Sequence, residues 1–247
     1  MTAPRDVPAA VSALVEQTSG LEWVTDLFVG GSLATGDYWS DVSDLDLVAV
    51  VNGPMSGHRR REAARLHQRL DDGAAAGAQL GCVYVPIDQL LDLEAPHATW
   101  THGRLVDRPL SGIARAELVR HGFAVLGRSP ADVLPAMSDD EVRRAARLEL
   151  TGYWSLAVRR PWWWLDPSLA DLGLLSMARA RHTWRTGQLI TKSAALDLVD
   201  APGWLVADVR ARRRGRDVRS PRLRTARAAW SDARRTTAAG RHWIIDR

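Results

Sequence analysis

Apolar positions three and four apart over residues 7–18 (VPAAVSALVEQT) predict an amphipathic helix that Gly20 stops. The pattern then shortens. Residues 23–29 (WVTDLFV) and 44–51 (DLDLVAVV) predict strands, separated by a Gly-Gly-Ser turn and a polar loop, and the second ends at Asn52-Gly53-Pro54. Helical spacing returns over 57–71, with Ala64, Leu66 and Leu70 facing inward. Strands are expected at 79–86, 103–109 and 123–126. Beyond residue 130 the pattern is helical throughout. Ser138 and Glu141 have capping-box spacing and should open a long helix over 139–159. Further helices are expected at 168–186, ending at Gly187, at 193–199, and over 203–236 with breaks at Gly215 and Pro221.

This pattern implies two domains. The first, 1–130, is an α/β (α+β) domain with a small mixed sheet, and the second, 131–247, is all-α. A hydrophobic fraction of 46% is enough to bury a core and excludes a disordered chain. The single cysteine, Cys82, excludes a disulfide framework and a cysteine-rich zinc site, and is expected to be a small buried residue. No apolar run is long enough to span a membrane, and the first residues lack a signal pattern, so a cytoplasmic location is expected.

The net charge of +4 is unevenly distributed. Residues 206–235 hold 11 Arg against 3 Asp, while the rest of the chain is mildly acidic. Such a run can bind nucleic acid, but it lacks interleaved aromatics, and a solvated helix face is the simpler reading. Lys192 is the only lysine among 33 basic residues.

The chemically informative segment is Leu27-Phe-Val-Gly-Gly-Ser-Leu-Ala-Thr-Gly-Asp-Tyr-Trp-Ser-Asp-Val-Ser-Asp-Leu-Asp-Leu-Val-Ala-Val50. A strand runs into Gly30-Gly31-Ser32, and Asp44 and Asp46 follow on the next strand. Period-two geometry puts both carboxylates on one face. Two such groups repel unless a cation lies between them, and their hard oxygens suit Mg²⁺. The turn offers small residues, backbone N–H groups and a hydroxyl for gripping a polyphosphate. A hairpin with solvated aspartates is the plain alternative. The combination of turn, spacer and Asp-x-Asp favours the functional reading.

At these residues the chain resembles the polymerase-β-like nucleotidyltransferase superfamily, whose signature is Gly-Ser or Gly-Gly, a spacer, then Asp-x-Asp. Over nearly the whole length it is similar to the aminoglycoside adenylyltransferases that modify streptomycin and spectinomycin. Val125-Leu-Gly-Arg-Ser-Pro resembles that family's interdomain link, and 175–192 resembles its segment with an Arg, then Thr-Gly, then Lys. The resemblance implies Mg²⁺ at Asp44 and Asp46, with ATP as co-substrate at Gly31, Ser32 and Ser43. It also implies phosphate contacts from Arg179 and Lys192, with the aromatic Trp230 near the nucleotide. The implied reaction transfers AMP to a hydroxyl of a small cationic acceptor in a cleft between the domains and releases pyrophosphate. Neither nucleic acid nor membrane is an expected partner, and oligomeric state is not legible.

One departure matters. The family's third carboxylate, its general base, should stand on the strand at 78–85, where the matching position falls near Gly81. Asp88, Asp92 and Glu94 lie beyond that strand. A base contributes about 10²–10⁴ in rate, although metal ions can themselves lower the acceptor's pKa. A nucleotide-binding regulator or degenerate enzyme therefore stays open, and the C-terminal arginines keep open a transferase acting on RNA or protein. For the acceptor, Asp166 and Asp171 are candidate acids. Trp100 and His102 could line the cleft, and Trp162-Trp163-Trp164 is read first as packing and second as ligand stacking.

Overall fold

In a computed structural model, which describes residues 7–245 and side chains as far as Gly240, the apolar runs pair into one six-stranded sheet. Its strands are β1 (Val24–Val29), β2 (Leu45–Val51), β3 (Leu80–Pro86), β4 (Pro96–Thr101), β5 (Arg104–Pro109) and β6 (Phe123–Leu126), in the order β5-β4-β3-β2-β1-β6. Only β2 and β3 run parallel, so the sheet is mixed. Those central strands are buried on both faces, which is why they read as continuous apolar runs. The helices of this unit are α1 (Ala9–Thr18), α2 (Gly31–Thr35), α3 (Gly57–Asp71), α4 (Gly112–His121) and α5 (Pro130–Val133).

Alternation along the strands sorts the core into two layers. Leu45, Leu47, Ala49, Leu80, Cys82 and Tyr84 pack with α1 and α3 on one face. Phe28, Val48, Val50 and Val85 pack with Leu118 of α4 on the other. Ala63, rather than the expected Ala64, joins Leu66 and Leu70 in the buried stripe of α3.

Strand β4 and helix α4 are absent from the sequence expectation. In β4, the residues PHATWT place histidine and threonines where an apolar alternation was sought, and His97 and Thr99 are nonetheless buried. The chain turns from β4 to β5 at His102 (φ 49°) and Gly103 (φ 72°), both left-handed, as in a two-residue type I′ hairpin. Helix α4 is announced only by its cap, where Ser111 Oγ accepts a bond from the Ala114 amide.

Residues from Met137 onward form a second compact unit. Its helices are α6 (Asp139–Glu149), α7 (Ser155–Val158), α8 (Pro167–Thr186), α9 (Lys192–Ala195), α10 (Gly203–Arg213) and α11 (Arg222–Ile245). Ser138 and Glu141 close the capping box at the start of α6. The single helix expected over 139–159 is interrupted by a π-helical turn, Leu150–Trp154, where Gly152 takes a non-helical conformation (ψ −106°). The core surrounds Leu174, Met177 and Ala178 of α8. Trp164 is fully buried there, and a Cβ on Gly173 would overlap its ring. Trp162 is exposed, so the tryptophan triplet divides between core and surface. Among the described residues no helix is long and apolar enough to cross a membrane.

One ion pair, between a buried carboxylate and a half-exposed arginine, fastens the edge of the sheet. Asp26, 1% exposed, accepts bonds from the Arg128 amide (2.7 Å), Nε (3.0 Å) and Nη2 (2.7 Å). Gly127 allows this closeness, since at φ 74° a Cβ would overlap the Thr25 carbonyl. Burial pushes the Asp26 carboxyl up, but the bonds from Arg128 outweigh it and hold it below its usual value. A depressed folded value means that this stabilisation is present above the unfolded carboxylate range and is lost as pH falls through the folded value. Arg128→Ala should therefore lower the melting temperature at neutral pH, with the gap to wild type narrowing in acid. Thermal unfolding at several pH values checks this, and a gap independent of pH would contradict it.

Candidate active site at the β1 exit and β2 entry

Antiparallel β1 and β2 bring the end of one strand beside the start of the other, with Val29 opposite Leu47. The Gly30 amide then donates to the Asp46 carbonyl at 2.8 Å. Gly31 follows at φ 56°, a left-handed conformation that suits glycine. A Cβ on Gly31 would overlap Oδ2 of Asp46. The turn and the second carboxylate thus lie in van der Waals contact, and only a residue without a side chain fits between them.

Asp46 is the second residue of β2, and Asp44 immediately precedes the strand. Their shared parity puts both on the α4 side of the sheet, opposite to Leu45 and Leu47. Asp46 is exposed and Asp44 half-buried, so neither is committed to the core. Ser32 Oγ is buried and has no hydrogen-bond partner among the described residues. Such an orphaned hydroxyl costs stability unless something satisfies it.

The loop between α2 and β2 is held by Ser43. Its amide donates to the Trp39 carbonyl (2.9 Å), and its Oγ accepts from the Trp39 amide (3.0 Å). Ser43 is 7% exposed, which makes it a brace for the loop that delivers Asp44.

Strand β3 enters beside β2, and Asp46 stands directly opposite Gly81. No carboxylate therefore flanks Asp46 on that strand. Asp88 is beyond the other end of β3, about 20 Å along the chain at strand rise. Asp92 closes a turn by accepting from the Glu94 and Ala95 amides. Trp100, expected to line a cleft, is instead 1% exposed, stacks on His67 at 5.2 Å and donates to Asp71. Burial holds His67 neutral, with its pKa lowered to about 3. His102 is exposed at the hairpin tip.

In the helical unit, Arg179 Nε donates to the Ile190 carbonyl (2.9 Å), bringing this arginine of α8 to the turn that leads into Lys192. Lys192 is the first residue of α9, after the capping Thr191. Trp230 donates to the Val158 carbonyl, and Arg234 lies over its ring. Asp166 caps α8, and Asp171 holds Arg212 in a bidentate pair (2.6 and 2.8 Å). Other arginines of the basic run are engaged too. Arg210 meets Asp197, Arg235 meets Asp200, and Arg224 covers Trp204.

Residues 11–75 match the family model of the nucleotidyltransferase domain. No curated protein matches the chain by sequence. Among solved structures, the fold is similar to that of the spectinomycin adenyltransferase AAD(9) from Enterococcus faecialis, solved with ATP and spectinomycin. The TM-score is 0.72 at 13% identity, over 92% of this chain and 96% of that one. Residues 11–75 are thus similar to a nucleotidyltransferase domain, and the chain resembles this adenyltransferase in fold.

Proposed function

We propose that this protein transfers AMP from ATP to a hydroxyl of a small cationic acceptor of the aminoglycoside class, releasing pyrophosphate. The observation that carries this reading is the contact of Asp46 with the Gly30-Gly31-Ser32 turn, with Asp44 on the same face. The matched domain and the similar structure that was solved with ATP and spectinomycin support it.

The donor set fits Mg²⁺. Among the described residues no group of three or more His, Cys, Asp or Glu is placed to hold a metal unaided. Two carboxylates completed by phosphate oxygens and water are a usual environment for that ion. Asp44 and Asp46 would hold it, and when bound it neutralises charge on the triphosphate. The absent side chain of Gly31 lets the Asp46 carboxylate stand against the turn that would grip the phosphate tail, and Ser32 Oγ gains a partner. Arg179 and Lys192 are assigned to the phosphates, Ser43 to bracing the nucleotide loop, and Trp230 to the neighbourhood of the base. The acceptor oxygen attacks the α-phosphorus in line, an O–P bond forms, and the bond to the leaving pyrophosphate breaks. We assign residues 1–130 and 131–247 to two domains of one cytoplasmic enzyme.

A second reading is favoured by one observation, the glycine opposite Asp46. A protein without a base could bind nucleotide and transfer nothing. Action on nucleic acid draws less support, because many of the C-terminal arginines are engaged within the fold.

Incubation with labelled ATP and a panel including streptomycin and spectinomycin should move label to an acceptor and release pyrophosphate. Asp46→Ala should abolish this while leaving the melting temperature near that of wild type, and an active variant would overturn the assignment. Lys192→Ala should weaken ATP binding about tenfold, the effect of losing one charge-assisted contact of about 1.4 kcal/mol. Unchanged affinity by calorimetry would remove Lys192 from the site.

A further inference from the structure

The glycine opposite Asp46 leaves a definite space. Gly81 has ordinary backbone geometry, and a Cβ there would meet only the Leu45 and Trp100 carbonyls, each at 3.7 Å. A cavity of about 240 Å³ opens at this point, lined by Asp44, Asp46, Gly81, Asp71, Thr101 and His102. Two of these besides the aspartate pair carry proton-accepting side chains, Asp71 and His102.

Strand parity separates them. Cys82 pairs with Trp100, so both point to the α3 side, and Gly81 and Thr101 point to the other. That other side is the one bearing Asp46. Asp71 is the last residue of α3 and accepts the Trp100 indole N–H (3.2 Å), which engages one of its oxygens with the buried tryptophan. His102 is tied to Thr101, since its Nδ1 lies 2.8 Å from Thr101 Oγ1. It is one of two non-glycine residues with positive φ among those described, at a turn position better suited to asparagine. The hydrogen bond to the threonine orients the imidazole.

We propose that His102 serves as the proton acceptor for the attacking hydroxyl, in the role left open by Gly81. The inference rests on the AMP-transfer reading. With a proton on Nδ1 donated to Thr101 Oγ1, the lone pair of Nε2 is free to accept. The acceptor O–H breaks and its proton passes to Nε2. The oxygen forms a bond to the α-phosphorus, and pyrophosphate leaves with the electron pair of the broken P–O bond. Thr101 is a positioning residue, acting through the ring.

The test uses H102N, G81D and the double variant in the full chain, with spectinomycin and streptomycin as probe acceptors. H102N gives the hairpin its preferred Asn-Gly turn, so the melting temperature should hold or rise. Mg·ATP affinity should match wild type while kcat falls about 10²–10⁴-fold. G81D should restore at least tenfold of that loss by supplying a carboxylate beside Asp46. Wild-type kcat in H102N overturns the proposal, as does a double variant no faster than H102N. A wild type that binds Mg·ATP yet transfers nothing overturns it as well, whether or not G81D awakens transfer. A wild type that binds no Mg·ATP removes the transfer reading, and the role of His102 with it.

Discussion

The contact between Gly31 and the carboxylate of Asp46 governs the organisation of the site. It requires β1 and β2 to be antiparallel neighbours in one register, because a shift of one residue would send Asp46 into the opposite core layer. It requires a left-handed residue without a side chain at the end of β1. It leaves Asp46 exposed on a strand otherwise buried, which a folding chain tolerates only near the strand's end. The sheet, its two apolar layers and the loop braced by Ser43 all serve to hold this arrangement.

Much of this is legible in the sequence because the central strands and the turn obey local rules. LDLVAVV is a buried parallel-sheet strand by composition, and Gly-Gly-Ser between strands is turn chemistry. Helix α3 is periodic and has its expected bounds, and α8 begins one residue ahead of expectation, at its capped proline. What escapes depends on tertiary partners. Strand β4 carries His97 and Thr99 into the interior, and only pairing with β3 makes it a strand. Trp100 reads as a cleft aromatic until His67 and Asp71 are brought to it from a helix far away in sequence. The interruption at Gly152 lies inside a pattern whose periodicity continues on both sides.

The basic C-terminal run shows the same limit. Counted along the chain, it is a strong local charge. In the fold, Arg212 is absorbed by Asp171, and Arg181 meets the buried Asp232 across α8 and α11. Burial wins at Asp232, whose carboxyl is raised despite that partner. Charge density along a sequence therefore says little about what remains to meet a ligand. The missing carboxylate is the opposite case. Its absence is visible at residue level, but what faces the gap becomes clear only when strand parity puts Thr101 on the same side as Asp46 and a hydrogen bond ties His102 to that threonine.

The most direct measurement is calorimetric titration of ATP into the protein with and without Mg²⁺, compared with the variant carrying both D44N and D46N. If the two carboxylates grip a divalent ion beside the glycine turn, Mg²⁺ tightens ATP binding to the wild type and has little effect on the variant, while both proteins melt cooperatively. Equal Mg²⁺ dependence in the two proteins would contradict that account.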